Sequence, residues 1–169
     1  VISHIDRLAF APRLGASDLG NAALGALPEL QRLAADLKVD VGRLITWLDR
    51  IPTDGAPSEH ALLFQNPAAT GPLDPGLTAA AVAANEAAEI AVPGSGRRLS
   101  DPLIVADVAV AFGVTTADLQ LLLSHLSVAA QLGVNPPLTA IGLAAIYGRV
   151  GLARALGVKV ANYLGLERL

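Results

Sequence analysis

The hydrophobic positions of residues 138–169 repeat at helical spacing on both sides of Gly157. Between Leu138 and Leu156 the apolar side chains form two adjacent rows, a pattern typical of a helix buried against several neighbours. Glycine after such a helix ends it by adopting a positive φ. A second helix is predicted from about Val160, so this segment is predicted to be an αα-hairpin.

The same pattern occurs twice more upstream. The three segments are LAADLKVDVGRL at 33–44, VAVAFGVTTADL at 108–119 and LARALGVKVANY at 152–163. Each has apolar residues at its first, fifth and twelfth positions, Ala at the second and Val at the seventh. The spacing between copies is unequal, which argues against a solenoid of fixed period. We therefore predict three similar hairpins joined by different connections.

Capping residues and prolines predict the remaining helices. Pro28 fits the first turn of a helix over Glu29–Leu37, separate from an earlier helix through Ala26. Further helices are predicted from the N-cap Asp40 to Leu48, over Ser58–Gln65, over Gly76–Ile90 and from Asp101-Pro102 to Gly113. A capping box at Thr115 predicts one more helix, with Leu119 and Leu126 on one face.

Two segments are rich in Pro and Gly and are predicted as loops or linkers: 51–76 and 92–100. Within the second, residues 93–98 are expected to form a flexible, exposed connection. The predicted fold class is all-α, an irregular array of αα-hairpins packed as a multi-helix bundle without significant β-sheet. One α-helical domain is predicted over 1–169.

Composition narrows the classes of function. Hydrophobic residues make up 53% of the 169, enough for a sizeable core. The net charge of −3 is spread over mixed-sign stretches, and Arg97-Arg98 is the only adjacent basic pair, which argues against a nucleic-acid surface. Without Cys there are no disulfides or thiolate sites. No apolar run reaches the length of a transmembrane helix. The absence of Met and an end inside the last predicted helix lead us to expect a fragment of a much larger chain.

The sequence predicts no catalytic, cofactor-binding or metal-binding residues. His4, His60 and His125 lie far apart, without a second ligand at helical spacing. Gly94-Ser95-Gly96 lacks the flanking residues of a nucleophile elbow or a phosphate-binding loop, which favours a linker.

Charged residues on the predicted helices are interpreted as surface or packing residues. Glu86 and Glu89 are three residues apart, as expected of a solvated helix face. Arg149 and Arg154 lie on an otherwise apolar helix, where a long stem covers apolar surface while the guanidinium reaches a carboxylate or carbonyl.

Three segments together resemble the α-helical, virulence-plasmid-like N-terminal region of the A component of bacterial Tc (toxin complex) insecticidal toxins. GRLITWLDRIPTDG followed by SEHALLFQNP, at 42–67, resembles that family's helix, Leu-Phe-Leu-Asn-Pro and loop, with Gln65 replacing an aliphatic residue. VAVAFGVTTADLQLLL at 108–123 resembles its Ala-Leu-Gly-Leu-Ser/Thr…Asp-Leu step. LTAIGLAAIYGRVGLARALGVKVANYLGL at 138–166 resembles its Leu-Ser-x-Leu-Tyr-Arg…Leu-Ala-Arg-Ala-Leu-Gly segment.

The resemblance covers about residues 28–169, with two departures. Ala144 stands where the family favours Ser, and Gly148 where it favours Arg. The resemblance implies a non-enzymatic, secreted structural module, part of a helical shell around a pentameric channel that carries a toxic enzyme across a host membrane. It implies as partners the other domains of the parent chain, further copies of it and a host-surface receptor, with no nucleic acid and no membrane span in this segment.

Two other functions remain open: a free-standing helical adaptor for protein interactions and a small helical enzyme. For the structural shell and for the adaptor, the residues that matter are packing residues: Trp47, Phe64, Asn66, Pro67, Phe112, Leu119, Tyr147, Leu152, Arg154, Leu156 and Gly157.

Overall fold

The computed structural model describes residues 19–48, 50–53, 57–65 and 74–167. Its helices are α1 (Leu19–Leu37), α2 (Val41–Leu48), α3 (Glu59–Phe64), α4 (Ala79–Ala91), α5 (Pro102–Phe112), α6 (Thr116–Ser124), α7 (Leu126–Leu132), α8 (Ala140–Ala155) and α9 (Val160–Leu166). A 3-10 turn at Pro75–Leu77 precedes α4, and within the described residues the only β-type pairing is one antiparallel bridge between Arg98 and Pro137. The predicted all-α class is confirmed.

Helix α8 lies at the centre of the core. It contacts α2, α4, α7 and α9, and ten of its sixteen residues are buried. A helix surrounded on this many sides has little polar surface, which explains why its hydrophobic pattern extends around most of its circumference. The largest fully buried side chains of the described core include Leu44, Ile104, Leu122, Leu138, Leu143 and Ile146.

Glycines bring α8 very close to α2. A Cβ placed on Gly148 would lie 2.3 Å from the carbonyl oxygen of Trp47, and one on Gly151 would lie 2.2 Å from Cε2 of the Trp47 indole. Both distances are below any real carbon contact. The two glycines therefore set how near the two helices pack.

The three predicted hairpins share one turn geometry. Each first helix is followed by a residue in the left-handed conformation, and these residues are Lys38, Gly113 and Gly157, with φ of 54°, 61° and 67°. In each turn the amide of the next Val donates to the carbonyl of the repeat's Ala at 2.9 Å: Val39 to Ala34, Val114 to Ala109, Val158 to Ala153. This is the Schellman arrangement, which satisfies carbonyls at a helix end. The repeat inferred from sequence is therefore a repeated structural unit.

The first turn carries Lys where the other two carry Gly, and this predicts a stability difference. The left-handed conformation strains any residue with a Cβ, so Lys38→Gly should raise the free energy of unfolding by about 0.5–1 kcal/mol. Gly157→Ala should lower it by about 1 kcal/mol. Since a Cβ on Gly157 meets no atom within 4 Å in the part of the chain that the structure describes, that loss would report the backbone conformation alone. Urea denaturation of both variants checks the prediction, and equal stability of all three proteins would contradict it.

The predicted N-caps of three helices are confirmed. Asp40 accepts from the amide of Gly42 at 2.7 Å, Asp101 from that of Leu103 at 3.1 Å, and Thr115 from that of Asp118 at 3.0 Å. Each side chain satisfies a backbone N–H that has no partner inside its helix.

Two helix boundaries were predicted wrongly. Pro28 does not begin a helix but lies inside α1, which runs without interruption from Leu19. Pro28 is exposed, so its ring faces solvent and does not crowd a packed neighbour. The helix predicted from Thr115 breaks at His125, whose extended backbone separates α6 from α7, so Leu126 begins a new helix.

Candidate functional site

The predicted packing residues occupy several positions in the structure. Trp47, Phe64, Phe112, Leu119, Tyr147 and Leu152 are at most 8% exposed. Gly157 forms the third turn, and Asn66 and Pro67 lie outside the described residues. Leu156 differs from the prediction, because its side chain is 37% exposed at the end of α8. The local pattern gives the side of a helix on which a residue lies, but not whether a neighbour covers that side.

An aromatic row crosses the core from α3 to α8. The ring centroids are separated by 4.8 Å from His60 to Phe64, 5.6 Å from Phe64 to Phe112 and 5.0 Å from Phe112 to Tyr147. All three pairs are tilted, in the distance range at which aromatic rings attract one another beyond simple burial. The row packs three helices, α3, α5 and α8, against one another.

A polar contact lies at one end of this row. The hydroxyl of Thr46 donates to Glu59 Oε2 at 2.9 Å, and the hydroxyl of Tyr147 lies 3.5 Å from Glu59 Oε1. Burial of Tyr147, with the nearby Glu59 charge, raises the pKa of its phenol above the usual value. The phenol therefore stays protonated and remains a donor to Glu59.

His60 is buried in this row, and it is 1% exposed. Among the described residues, neither of its ring nitrogens has a hydrogen-bond partner. Burial lowers the pKa of the imidazole below 6.5, because the charged form would be poorly solvated. We interpret His60 as an apolar core residue that is neutral at pH 7.

This environment predicts loss of stability on mild acidification. Below pH 6.5 the unfolded chain binds a proton at His60 that the folded chain does not, so the free energy of unfolding falls with pH until the folded pKa is reached. The slope for this one proton cannot exceed about 1.4 kcal/mol per pH unit. Urea denaturation between pH 7 and 5 should show the fall, and His60→Leu should reduce it. An unchanged pH dependence in His60→Leu would contradict the prediction.

The window from pH 6.5 down to about 5 isolates this effect from that of the carboxylates. Hydrogen bonds lower the pKa of Asp74, Glu89 and Asp101 below ordinary values of 3.8, 4.5 and 3.8. The stability that these three groups contribute is therefore lost only at lower pH, as each is protonated.

Arg154 binds backbone carbonyls at the end of α5. Its Nη2 donates to the carbonyl of Gly113 at 2.8 Å and also to that of Phe112. A guanidinium here satisfies carbonyls at a helix C-terminus and complements the negative end of the helix dipole. The bonds join the turn after α5 to the last turn of α8.

Arg149 makes a similar connection on another side of α8. Its Nη1 donates to Gln131 Oε1 at 3.0 Å, and its Nε lies 3.3 Å from Glu167 Oε1. The side chain therefore connects α8 with α7 and with the residue that follows α9.

Residues 93–98, predicted to form a flexible, exposed connection, are bound to the preceding helix by a carboxylate. Glu89 of α4 accepts from the amides of Gly94 at 2.9 Å and Gly96 at 3.1 Å, and it pairs with Arg98 at 3.2 Å. The hydrogen bond from Gly94, then that from Gly96, and also Arg98 lower the pKa of this carboxyl. Gly and Pro content predicted a loop correctly, but not the acceptor on the preceding helix that fixes it.

Asn85, also on α4, joins two distant parts of the chain. Its Nδ2 donates to the carbonyls of Arg97 at 3.2 Å and Leu138 at 2.8 Å, and its Oδ1 accepts from the amide of Arg97 at 2.6 Å. Beside it, the amide of Leu138 donates to the carbonyl of Arg97 and that of Leu99 to the carbonyl of Pro136. One amide side chain thus holds together residues 97–99 and 136–138.

Arg97 completes this polar network. It pairs with Asp74 at 2.7 Å and with Asp101 at 3.0 Å, while Asp107 accepts from the amide of Asp74 at 2.6 Å. The hydrogen bond from Arg97 is the main reason that the pKa values of Asp74 and Asp101 are lowered. These contacts attach the turn before α4 to the start of α5.

Sequence reasoning missed both Asn85 and Arg97, although each left a signal. Asn85 interrupts an Ala-rich helix in which an amide has no local role. Arg97 lies four residues before Asp101, which is itself an N-cap. The partners that lie far away in sequence, Leu138 for Asn85 and Asp74 for Arg97, could not be identified from these signals. Chemically, both residues bind backbone groups or opposite charges and therefore fix loops.

Among residues 19–48, 50–53, 57–65 and 74–167, no three His, Asp or Glu side chains are grouped so that they could hold a metal ion. In the same ranges no single helix is long and apolar enough to cross a membrane. Two bent pairs, α5 with α6 at 110° and α8 with α9 at 97°, pass that test of length and composition only when taken together.

Comparisons with protein-family models, curated proteins and solved structures find no match to this chain.

Proposed function

We propose that this chain is a non-catalytic structural module, and that it forms part of the helical shell of a secreted, Tc-like translocation toxin. The observation that carries the proposal is the repeated hairpin: three units end their first helix in the same turn and bury the same Ala position. Proteins built from stacked similar units bind partners through extended surfaces, and this chain shares the repeated unit, although not a fixed period.

The use of polar side chains supports the structural part of the proposal. Asn85, Glu89, Arg97 and Arg154 each bind backbone groups or structural carboxylates, as described above. Such contacts fix loops and helix ends.

The toxin part of the proposal comes from the sequence resemblance. Two of the resembling segments, 108–123 and 138–166, coincide with the α5–α6 and α8–α9 hairpins. Gly148 is a departure from that family, which favours Arg at this position. Here the carbonyl of Trp47 leaves no room for a side chain. In the proposed assembly, the partners are the other domains of the parent chain, four further copies of it and a host-surface receptor.

Electron microscopy of the full-length gene product tests this proposal. The protein would be purified from the culture medium and from cells, measured by mass photometry and imaged by negative stain. We expect secretion and a bell-shaped pentamer. A parent chain that is monomeric at micromolar concentration and forms no ring would overturn the toxin assignment.

A free-standing interaction module is the second candidate, and exposed apolar side chains on α5 favour it. Leu103 is 65% exposed and Val110 52%, two turns apart on the same helix side, with exposed Ala106 between them. Single exposed apolar residues are common, but a row on one helix face is typical of contact surfaces. A short reading frame for the parent protein would favour this function over the shell. So would binding to a partner protein that is abolished by Leu103→Ser and by Val110→Ser.

A further inference from the structure

A groove with apolar walls lies between α4, the end of α7 and the start of α8. Its volume is about 320 Å³, at the small end of the range for ligand sites. Ile90, Leu132, Pro136, Pro137 and Ile141 supply its apolar lining, and Glu86, Glu89, Gln131 and Thr139 supply side-chain polar groups. This volume suits one long side chain better than a large ligand.

Most of these polar groups already have partners inside the protein. Glu89 binds Gly94, Gly96 and Arg98. Thr139 caps α8 by accepting from the amide of Gly142, and Gln131 accepts from Arg149. Glu86 is different: it is half-buried, and within the described part of the chain its carboxylate makes no hydrogen bond or ion pair.

We propose that this groove binds a basic side chain, Arg or Lys, presented by a polypeptide partner. The aliphatic stem would lie along the apolar wall, where Ile90 is 79% exposed, and the cationic group would pair with Glu86. A purely apolar occupant would cover Glu86 without compensating its charge, and an anion would be repelled. One uncompensated carboxylate also provides too few ligands for a divalent cation. The proposal concerns this surface and does not depend on the toxin assignment.

Side-chain mimics test the groove without knowledge of the partner. The whole chain, labelled with ¹⁵N, would be titrated with n-butylguanidinium, n-butylammonium, n-butanol and butyrate while amide shifts are recorded. We expect the two cations to bind with millimolar affinity and to shift the amides of Glu86, Ile90, Leu132 and Ile141. The alcohol and the carboxylate should bind at least about tenfold more weakly, the size expected for loss of a charge-assisted contact.

Charge-matched variants complete the test. Glu86→Gln should weaken the binding of both cations about tenfold, because it keeps the shape of the side chain and removes its charge. Asp36→Asn removes one charge from an exposed position on α1, outside the groove, and should leave binding unchanged. Equal binding of butanol and the cations, unchanged binding to Glu86→Gln, or shifts located away from the groove would each overturn the proposal.

Both variants should fold normally, since neither carboxylate contacts another described residue through a hydrogen bond or ion pair. Circular dichroism and thermal unfolding establish this before the titrations. If Glu86→Gln nevertheless unfolds, Ile90→Ser in the apolar wall provides a second variant. It should weaken the binding of n-butylguanidinium, and unchanged affinity there would also overturn the proposal.

Discussion

Gly148→Ala is expected to lower the free energy of unfolding by about 3 kcal/mol, near the upper end of the range for overpacked cores. The added methyl group would lie 2.3 Å from the carbonyl oxygen of Trp47, and a backbone oxygen inside α2 cannot move without displacing the helix. Gly151→Ala should cost a similar amount, about 2–3 kcal/mol, because its methyl group would enter the Trp47 indole. Urea denaturation followed by circular dichroism measures both losses.

Gly165→Ala in α9 is the matched control. A Cβ there meets no atom of the described residues within 4 Å, so the substitution adds only helix propensity and should be neutral or stabilising by up to about 1 kcal/mol. A Gly148→Ala variant as stable as Gly165→Ala would show that α2 and α8 do not pack as closely at Gly148 as described.

A double-mutant cycle separates the two contacts with Trp47. Trp47→Phe removes indole atoms and loses no hydrogen bond, because Nε1 of the buried indole has no partner in the described residues. It should therefore partly rescue Gly151→Ala, whose contact is with the ring. It should not rescue Gly148→Ala, whose contact is with the backbone. Equal rescue of both variants would contradict this assignment.

Asn85→Ala is expected to lower the free energy of unfolding by about 2–4 kcal/mol. The substitution removes three hydrogen bonds and leaves the amide and carbonyl of Arg97 and the carbonyl of Leu138 without the partner that Asn85 supplied. The amide of Arg97 and the carbonyl of Leu138 each cost about 1 kcal/mol or more when left in this way, whereas the carbonyl of Arg97 costs less because it keeps the amide of Leu138. Chemical denaturation gives the total loss, and hydrogen exchange at the amide of Arg97 shows whether it arises at this site.

Asn85→Asp tests the direction of these bonds. It has nearly the same shape, but it places a second oxygen where Nδ2 now donates to two carbonyls, so we expect a loss similar to that of Asn85→Ala. Glu86→Gln, on the next residue of the same helix, should have little effect on stability. An aspartate variant as stable as the original protein would show that Asn85 does not donate to these carbonyls.

The parts of the fold that the sequence predicted correctly are those that depend on residues close together in the chain. A positive φ at Gly113 or Gly157 and an N-cap at Asp40 depend on residues within one turn, so the pattern contains the information. The all-α class follows from the same periodicity. The continuity of α1 through Pro28 did not follow, because an exposed proline is tolerated inside the helix.

The features that sequence did not predict depend on distant partners. Gly148 and Gly151 looked like ordinary positions in a buried helix, and only their proximity to Trp47 shows why no side chain fits. Asn85 bonds to a carbonyl 53 residues away, and nothing in its own neighbourhood indicates that choice. The groove beside Glu86 likewise requires three separate parts of the chain to meet.

Arg154 couples the local unfolding of two hairpin turns. It belongs to the end of α8, yet it holds the carbonyls that follow α5, across 41 residues of sequence. The reversal at Gly113 and the reversal at Gly157 are therefore mechanically connected, and neither hairpin can fray at its turn without disturbing the other. Their amides should exchange with solvent through a common opening event, as parts of one cooperative unit.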